Sequence, residues 1–246
     1  MRYVIIPLLG FLIFVSACRD EKPEPLTAGE VVDSAIAVAG GPLYRTSRIS
    51  FDFREYSYES YLGEKGRTLL REIPTDSGII RDIRAPEGFR RYLGDSLLQI
   101  PDTTARKYSN AVNSVHYFAY LPHDLNDRAV NKALLGKVRL KDREYYKLRV
   151  TFDEAGGGED FEDVFLYWFN TRTFRPDYLA YAFHTNGGGI RFREAYNDRE
   201  AGGIRFQDYI NYKPAEPVVL EALDKAFAEG RLDTLSRIEL RNVRVS

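Results

Sequence analysis

The sequence is poor in cysteine, methionine, tryptophan and histidine. Among its 246 residues there are one cysteine, one methionine, one tryptophan and three histidines. With a single cysteine the chain has no intramolecular disulfide, so its fold must be stabilised by its core alone. This excludes the small disulfide-stapled domains found among secreted proteins.

Neither sign of charge is in excess. The chain carries 35 lysines and arginines against 36 aspartates and glutamates, and both signs are mixed along its whole length. A protein that binds nucleic acid normally shows a basic bias or a basic stripe. We therefore predict no nucleic-acid partner.

The common catalytic signatures are also missing. The chain has no Gly-x-Ser-x-Gly elbow, no His-Glu-x-x-His, no Cys-x-x-Cys and no phosphate loop. His123-Asp124 could act as an oriented base, with His116 joining it, but ordinary polar residues at a helix end are the favoured interpretation. The acidic stretch 153–163 lacks the spacing of a calcium loop, and a solvated hairpin tip accounts for it. We therefore predict no catalytic residue, no metal and no cofactor.

What the sequence does contain begins with an apolar run that ends at the single cysteine. The run spans residues 3–17, and as a helix it would rise only about 22 Å, less than the roughly 30 Å of a bilayer core. Val15-Ser16-Ala17-Cys18 resembles the lipobox of bacterial lipoproteins, in which the cysteine is lipidated and becomes the first mature residue. The resemblance implies a signal peptide at residues 1–17 and lipidation of Cys18. Ordinary secretion after cleavage at the same place is the alternative.

Residues 18–26 are predicted to be the lipidated cysteine and a short tether. Fully extended, the tether reaches about 25 to 30 Å, which keeps the following domain beside the bilayer. Arg19 stands where an aspartate favours inner-membrane retention in many Gram-negative lipoproteins, and Asp20-Glu21 resembles an acidic surface-export signal. We expect a protein that is lipid-anchored in the outer membrane, on its periplasmic or surface-exposed face.

Residues 27–246 contain no linker and predict a single domain with a few helices. Thr27-Ala28-Gly29-Glu30 is typical of a capping box and begins a helix that Gly40-Gly41 ends. Asp102 can cap a second helix, which Pro122 ends. Further helical segments are expected at residues 127–134 and 217–230.

The segments between these helices alternate apolar and polar residues, as β-strands do. A change of the apolar phase after Phe53 predicts a β-bulge or strong bend at Arg54-Glu55. Short turns between successive strands predict antiparallel pairing. The predicted fold class is α+β, a long curved antiparallel β-sheet (half-barrel) with three or four helices packed on one side.

Two sets of side chains on the predicted strands are candidate ligand-binding residues. The aromatic set, at alternating positions, could line a hollow on the concave side of the sheet or fill its core. It comprises Phe51, Phe53, Tyr56, Tyr58, Tyr146, Phe152, Tyr181 and Phe183. The basic set comes from a repeated Gly-Gly-Ile-Arg-Phe and could bind an anionic head group or pair with Glu194 and Asp208. It comprises Arg191, Arg193 and Arg205.

Two features of the chain resemble known proteins. One is the order of the predicted elements, and the other is the block His184-Thr185-Asn186-Gly187-Gly188-Gly189-Ile190-Arg191-Phe192-Arg193. The chain resembles a family of uncharacterised Gram-negative outer-membrane lipoproteins with a domain of unknown function. Its architecture resembles the LolA/LolB-like lipoprotein-localisation half-barrel. The resemblance implies an incomplete barrel whose helices cover a cavity for acyl chains.

The resulting functional prediction is a membrane-anchored lipoprotein that binds a lipid or other hydrophobic ligand at the cell envelope without catalysis. This rests on fold-level analogy. The alternative is a structural or interaction subunit of an outer-membrane or surface complex, with an envelope protein as partner. A hydrolase comes third, since it would need two carboxylates or a histidine pair to meet in one cleft.

Overall fold

A computed structural model describes residues 25–155, 161–184 and 187–246. Within these ranges the chain forms two antiparallel sheets of seven strands each and four α-helices. The predicted signal peptide and Cys18 lie outside the described residues. None of the described helices has the length and apolar character needed to cross a membrane.

Sheet A is formed by the strands that precede the longest helix, together with the C-terminal strand. Its members are β1 (Ile49–Phe53), β2 (Tyr56–Gly63), β3 (Gly66–Thr75), β4 (Gly78–Ala85), β5 (Gly88–Leu93), β6 (Ser96–Leu97) and β14 (Leu240–Val245). Their spatial order is β14-β1-β2-β3-β4-β5-β6. Neighbours from β1 to β6 are joined by short turns, which confirms the predicted antiparallel meander.

Sheet B is formed by the remaining strands. Its members are β7 (Val130–Leu140), β8 (Arg143–Phe152), β9 (Val164–Asn170), β10 (Pro176–Phe183), β11 (Gly189–Ala201), β12 (Ile204–Pro214) and β13 (Leu232–Ile238). They lie in the order β13-β12-β11-β10-β9-β8-β7. The predicted α+β class with a curved antiparallel sheet is confirmed, and the structure adds that the strands divide between two sheets.

The helices pack on the inner sides of both sheets and on the outer face of sheet B. They are α1 (Ala28–Val38), α2 (Leu43–Thr46), α3 (Asp102–Ala119) and α4 (Leu223–Ala228). The predicted capping box is confirmed, because the Thr27 hydroxyl accepts from the N–H of Glu30 at 3.2 Å while the Glu30 carboxylate accepts from the N–H of Thr27 at 2.8 Å. Residues of α1 and α3 join a cluster with the facing, inner sides of both sheets, whereas α4 covers the outer face of sheet B.

Three local predictions were wrong. Residues 127–134 are not helical: a 3₁₀ turn at His123–Asn126 leads directly into β7, whose alternation of half-buried and exposed side chains is that of an edge strand. Arg54-Glu55 is not a bulge but the two-residue turn of the β1–β2 hairpin, with Arg54 at φ 57°. The helix expected at 217–230 is reduced to a 3₁₀ turn, Leu220–Ala222, and the six residues of α4.

The chain passes from sheet B to sheet A at Glu239, the residue between β13 and β14. The buried carboxylate of Asp208 holds this corner. It accepts from the backbone N–H of Leu240 at 2.9 Å, from the Arg199 guanidinium at 3.1 Å and from the Asn197 amide at 2.6 Å. Charge-assisted hydrogen bonds of this kind are about twice as strong as neutral ones, so the two sheets are held at a defined angle.

The second Gly-Gly-Ile-Arg-Phe copy is explained by close packing at the β11–β12 turn. Gly202 and Gly203 have φ values of 54° and 79°, which L residues rarely adopt. A Cβ on Gly202 would lie 2.7 Å from Cβ of Val245, and a Cβ on Gly40 after α1 would lie 2.9 Å from the carbonyl oxygen of Gly203. The glycines therefore allow α1, the turn and β14 to meet.

We predict that Gly202→Ala destabilises the protein more than Gly94→Ala. Gly94 has nearly the same backbone conformation, with φ 55°, but nothing lies within 4 Å of a Cβ there. Both variants carry the left-handed strain of about 1 kcal/mol, and only Gly202→Ala adds overpacking of about 1 to 3 kcal/mol. Equilibrium urea unfolding measures the difference. Equal losses would show that the contact with Val245 is not tight.

Candidate functional site

The predicted aromatic residues all lie on the inner faces of the two sheets, but in two different settings. On sheet A, Phe51, Phe53 and Tyr58 are buried beneath α3. Phe51 and Tyr58 stack with ring centroids 5.4 Å apart, and Phe53 meets Phe118 of α3 at 5.2 Å. These three side chains belong to the closed core, while Tyr56 beside them is half-buried.

On sheet B the predicted aromatic residues are half-buried and nearly continuous. Phe152, Phe165, Tyr181 and Phe183 form an aromatic row, with successive ring centroids 5.8, 5.3 and 6.0 Å apart. Tyr146 lies further along the same face and stacks on Phe174 at 6.1 Å. Phe165 was missing from the predicted set because its strand is apolar on both faces, so alternation does not mark its inner side.

Two of the three predicted arginines stand beside this aromatic row. Arg191 and Arg193 share the inner face with Tyr181, since β10 and β11 pair Tyr181 with Arg191. The Arg191 guanidinium lies 5.0 Å from the centre of the Phe183 ring, and that of Arg193 lies 5.0 Å from the centre of the Tyr181 ring. Among the described residues neither guanidinium forms an ion pair with a carboxylate.

Arg205 does not join them. It lies on the outer face of sheet B and forms an ion pair with Asp198. Corresponding residues of the two repeat copies point to opposite faces of sheet B. Ile204 and Phe206 pack into the inner cluster, whereas Phe192 packs into the outer one. A register shift between β11 and β12 separates the copies and reverses the alternation.

The expected carboxylate partners of these arginines are occupied by other residues. Glu194 pairs with Lys141 at 2.6 Å, and Asp208 pairs with Arg199 at 3.1 Å. The positive charge of Arg191 and Arg193 is therefore left at the aromatic row.

A group of buried polar atoms without hydrogen-bond partners lies between α3 and sheet B. The hydroxyls of Tyr117 on α3 and Tyr167 on β9 lie next to each other, but neither makes a hydrogen bond of good geometry to a described residue, and the same holds for Nε of Arg193. Tyr167 is completely buried. Burial raises the pKa of both tyrosines, so both hydroxyls keep their protons.

These residues were not predicted as a site. Tyr117 falls outside the predicted apolar stripe of its helix, and Tyr167 lies in the strand that is apolar on both faces. The only signal in the sequence is the presence of tyrosine at positions where phenylalanine could occupy the same space in the core. That signal becomes informative once both hydroxyls are known to be buried together.

Helix α3 covers sheet A through unusually polar contacts. Asp82 is fully buried and accepts from Nε of Arg71 at 3.1 Å and from Nε of Arg91 at 2.6 Å. Tyr108 of α3 lies over Arg91, 3.6 Å from the guanidinium carbon to the ring centre. Only three side chains of the helix are fully buried, those of Val112, His116 and Ala119. The apolar contacts of the helix with sheet A are made with Phe51, Phe53 and Tyr58, which it covers.

His116 attaches α3 to sheet A. Its Nδ1 lies 2.9 Å from the carbonyl oxygen of Val112, and its Nε2 lies 3.1 Å from the carbonyl oxygen of Glu59. A neutral imidazole has one N–H, so it satisfies only one of these two acceptors. Burial nevertheless disfavours the charged ring and lowers the pKa of His116 to about 4.

The less favoured interpretation, a base at His123-Asp124 joined by His116, does not match the positions of the rings. The His116 ring contacts Phe51 at 5.8 Å, whereas the His123 ring stacks on Tyr44 at 4.9 Å. Nε2 of His123 lies 3.8 Å from the carboxylate of Asp124. Within the described ranges, no three histidine, aspartate or glutamate side chains are grouped so that they could hold a metal ion.

Comparisons with known proteins agree with this fold. Residues 35–240 match the sequence profile of DUF6503, a family of unknown function. No curated protein matches the chain.

Several solved structures are similar. A LolA superfamily protein from Nitrosomonas europaea has a TM-score of 0.50 and 12% identity, over 89% of this chain and 94% of that one. A DUF1329 family protein from Desulfovibrio piger has a TM-score of 0.46 and 11% identity, over 89% and 92% of the two chains. A putative outer membrane lipoprotein-sorting protein domain from Vibrio parahaemolyticus has a TM-score of 0.41 and 8% identity, over 82% and 84%. The similarity to the Nitrosomonas europaea protein confirms a LolA-like fold.

We predict that stability falls as the pH drops from about 6.5 to about 4, because in this range the unfolded chain binds a proton at His116 and the folded chain does not. The half-buried His123, with its pKa also lowered to about 4 by partial desolvation, acts in the same direction, and Asp124, with its pKa raised to about 6, opposes both. His116→Gln should remove up to about 3 kcal/mol of this dependence.

Urea unfolding at neutral and mildly acidic pH measures this effect. The control is Ser114→Ala, an exposed position of the same helix without a titratable group. If His116→Gln and Ser114→Ala retained the same pH dependence, His116 would not be the group that titrates.

Proposed function

The chain belongs to DUF6503, a family of unknown function, and we propose that it is a non-enzymatic binding protein for a lipid or another long apolar ligand. The ligand's apolar chain lies along the aromatic row of sheet B, beneath α3. Its polar end is held by Tyr117, Tyr167 and Arg193. The LolA-like fold supports this proposal, since it presents the concave inner faces on which the row lies.

The buried polar atoms without partners carry the proposal. Leaving a buried donor unsatisfied costs about 1 to 3 kcal/mol, and such groups in native proteins therefore call for an explanation. The two tyrosine hydroxyls and Nε of Arg193 are all able to donate. A ligand carboxylate or ester oxygen would accept from them, which removes the cost only when ligand is bound.

The surroundings of these atoms favour an acyl chain over a small polar ligand. The aromatic row offers a half-buried apolar surface several rings long. Arg191 and Arg193 add unpaired positive charge beside it, which favours an anionic end group. An apolar chain that covers the row gains about 25 cal/mol for each Å² that it removes from water.

Binding requires α3 to move, because Tyr117 and Phe118 of this helix pack toward the row. The centroid of Tyr117 lies 6.4 Å from that of Phe152, and the Arg193 guanidinium lies 5.5 Å from the centre of the Phe118 ring. This movement uncovers part of the aromatic surface beneath the helix, and the apolar chain of the ligand would replace the contacts that are lost. In this proposal α3 is the cover of the ligand site.

The same proposal includes the place where the protein works. A lipid on Cys18 and the tether of residues 18–26 would hold the single domain of residues 27–246 against the outer membrane, after removal of residues 1–17. The lipobox-like Val15-Ser16-Ala17-Cys18 supports this step. A membrane-bound protein meets acyl ligands at high local concentration, so anchor and binding site belong together.

We predict that Tyr117→Phe/Tyr167→Phe weakens ligand binding without loss of stability. The double variant keeps both rings and removes two buried hydroxyls that make no hydrogen bond of good geometry to a described residue, so the free energy of unfolding should stay equal or rise. Binding of the fluorescent fatty acid cis-parinaric acid should weaken by roughly tenfold or more, because hydrogen bonds to a carboxylate contribute about 1.5 to 3 kcal/mol. Fluorescence titration and urea unfolding measure the two quantities.

The control is Tyr92→Phe, which removes a hydroxyl from the half-buried Tyr92 on sheet A. It should leave the affinity for cis-parinaric acid unchanged. Absence of saturable binding by the wild-type protein would contradict the proposal. So would a double variant that binds as well as wild type, or one that is destabilised, since the hydroxyls would then be structural.

We predict that Cys18→Ser abolishes membrane attachment. The serine has no thiol to carry a lipid, so the attachment that depends on the acyl chains is lost, and a variant held only by an uncleaved residue 1–17 segment would carry no palmitate label. Metabolic labelling with an alkyne palmitate and fractionation of membranes measure the effect in a Gram-negative host. Labelled, membrane-bound Cys18→Ser protein would show that the anchor lies elsewhere.

A further inference from the structure

The aromatic row of sheet B runs from a buried part of the inner face toward one end of the strands. Cross-strand pairing places Tyr167 and Arg193 at the same level of the sheet, opposite the same residue of β10. Phe165 and Tyr181 form the next inner pair, and Phe183 lies one step further, about 13 Å along the strands from Tyr167. Tyr167 is completely buried, whereas these three rings are half-buried. Phe183 therefore marks an outer end of the row.

The position of the buried polar atoms gives a bound ligand a direction. In the proposed function, on which this inference rests, Tyr117, Tyr167 and Arg193 hold the polar end, so the apolar chain extends along the row toward the outer end. A chain that left the protein into water would expose its apolar area again, at about 25 cal/mol for each Å². Release is therefore favoured where the outer end lies close to another apolar phase.

The N-terminal half of α1 lies beside the same end of the row. Val130, the first residue of β7, pairs with Phe152 of the row, and the 3₁₀ turn that precedes β7 contacts α1. The Asn126 amide of this turn donates to the Asp33 carboxylate of α1 at 2.6 Å, and Lys132 of β7 donates to the Asn126 oxygen at 3.0 Å. The chain that precedes α1 therefore leaves the domain near the outer end of the row.

The C-terminal end of α1 and the C-terminus of the chain lie at the opposite end of sheet B. Gly40, just after α1, packs against Gly203 in the β11–β12 turn, and Val245 packs against the same turn. Strand β11 connects the two ends, since its first residue pairs with Phe183 and its last residue precedes the turn. Its 13 residues span up to about 40 Å. The two termini of the domain are therefore at different distances from the outer end of the row.

Charge does not draw this end of the domain to a lipid surface. Glu30, Asp33, Asp127 and Asp153 are exposed around it. An anionic bilayer repels such a rim, and the repulsion falls off within about 10 Å at 0.1 M ionic strength. What keeps the outer end near a bilayer is the tether, which begins at the N-terminal end of α1 and reaches about 25 to 30 Å.

We propose that the outer end of the row faces the bilayer that holds the lipid of Cys18, and that the ligand passes directly between this bilayer and the row. The partner of the site is then the lipid surface and not a soluble carrier protein. The apolar chain, which lies toward the outer end, enters the bilayer first on release. The short tether makes this exchange intramolecular in effect, with a high local concentration of lipid at the site.

Two forms of the mature Cys18→Ser chain test this proposal, one with a hexahistidine tag before residue 18 and one with the same tag after Ser246. Both are bound to vesicles that contain a nickel-chelating lipid and cis-parinaric acid. Uptake is followed by the loss of Trp168 emission, because parinaric acid on the opposite face of β9 accepts its energy. The N-terminally anchored form should take up the ligand at least about tenfold faster, since the other form holds the outer end away from the bilayer.

The matched control is the same pair of proteins released from the vesicles by imidazole. Both released forms should bind cis-parinaric acid with equal affinity and take it up from vesicles at equal rates, because only the place of the tag differs. Equal rates for the two anchored forms, or faster uptake by the C-terminally anchored form, would overturn the proposal. Absence of saturable binding by the released forms would overturn the proposed function, and this proposal with it.

Discussion

The corner where β13 passes into β14 is the constraint on which the rest of the architecture depends. One residue, Glu239, separates a strand of sheet B from a strand of sheet A, and the buried Asp208 carboxylate fixes it by accepting from Leu240, Arg199 and Asn197. Because the two sheets meet at a fixed angle there, their inner faces are turned toward each other. The aromatic residues and α3 are placed by that arrangement.

The two faces of sheet B have different chemistry, and the period-two alternation of strands produces this difference. On the inner face, alternate residues of β8 to β10 give the aromatic row. On the outer face, the intervening residues pack beneath α4 near the middle, with Trp168 completely buried. Toward one end, beyond the cover of α4, the outer residues become polar and form ion pairs such as Lys141–Glu194 and Arg175–Asp198.

Helix α3 combines structural and functional demands. Its contacts with sheet A include a buried ion cluster around Asp82 and a histidine between two carbonyl oxygens. Polar contacts of this kind specify where the helix lies, but they add less to stability than an apolar interface of the same area. The helix is therefore placed accurately over the aromatic residues that it covers.

Sequence patterns identified those elements whose signals are local. The capping box at Thr27 and the turns of the sheet A meander depend on residues a few positions apart, and both were predicted correctly. The failures have a common cause. In residues 127–134 an apolar spacing compatible with a helix was overridden by pairing with β8, and at Arg54-Glu55 the same change of phase fits either a bulge or a turn.

The residues of the candidate site were likewise predicted only where the signal in the sequence is local. Alternation in the sequence was enough to select Phe152, Tyr181 and Phe183 as neighbours on one face, because side chains two apart on a strand point the same way. It was not enough to separate Arg205 from Arg191, since a register shift in β11 and β12 reverses the alternation between them. Nor did it distinguish the core residue Phe51 from the residues of the row, a difference that depends on where α3 packs.

By itself, then, the sequence determined the class of fold, the order of most elements and the absence of disulfides, because composition and short-range periodicity are sufficient for these. Only the tertiary structure decided that Tyr117 and Tyr167 bury their hydroxyls together, and that Arg191 but not Arg205 lies beside the aromatic row. Such sites arise where residues distant in the chain meet, and their hydrogen-bonding state depends on every neighbour that packing brings to them.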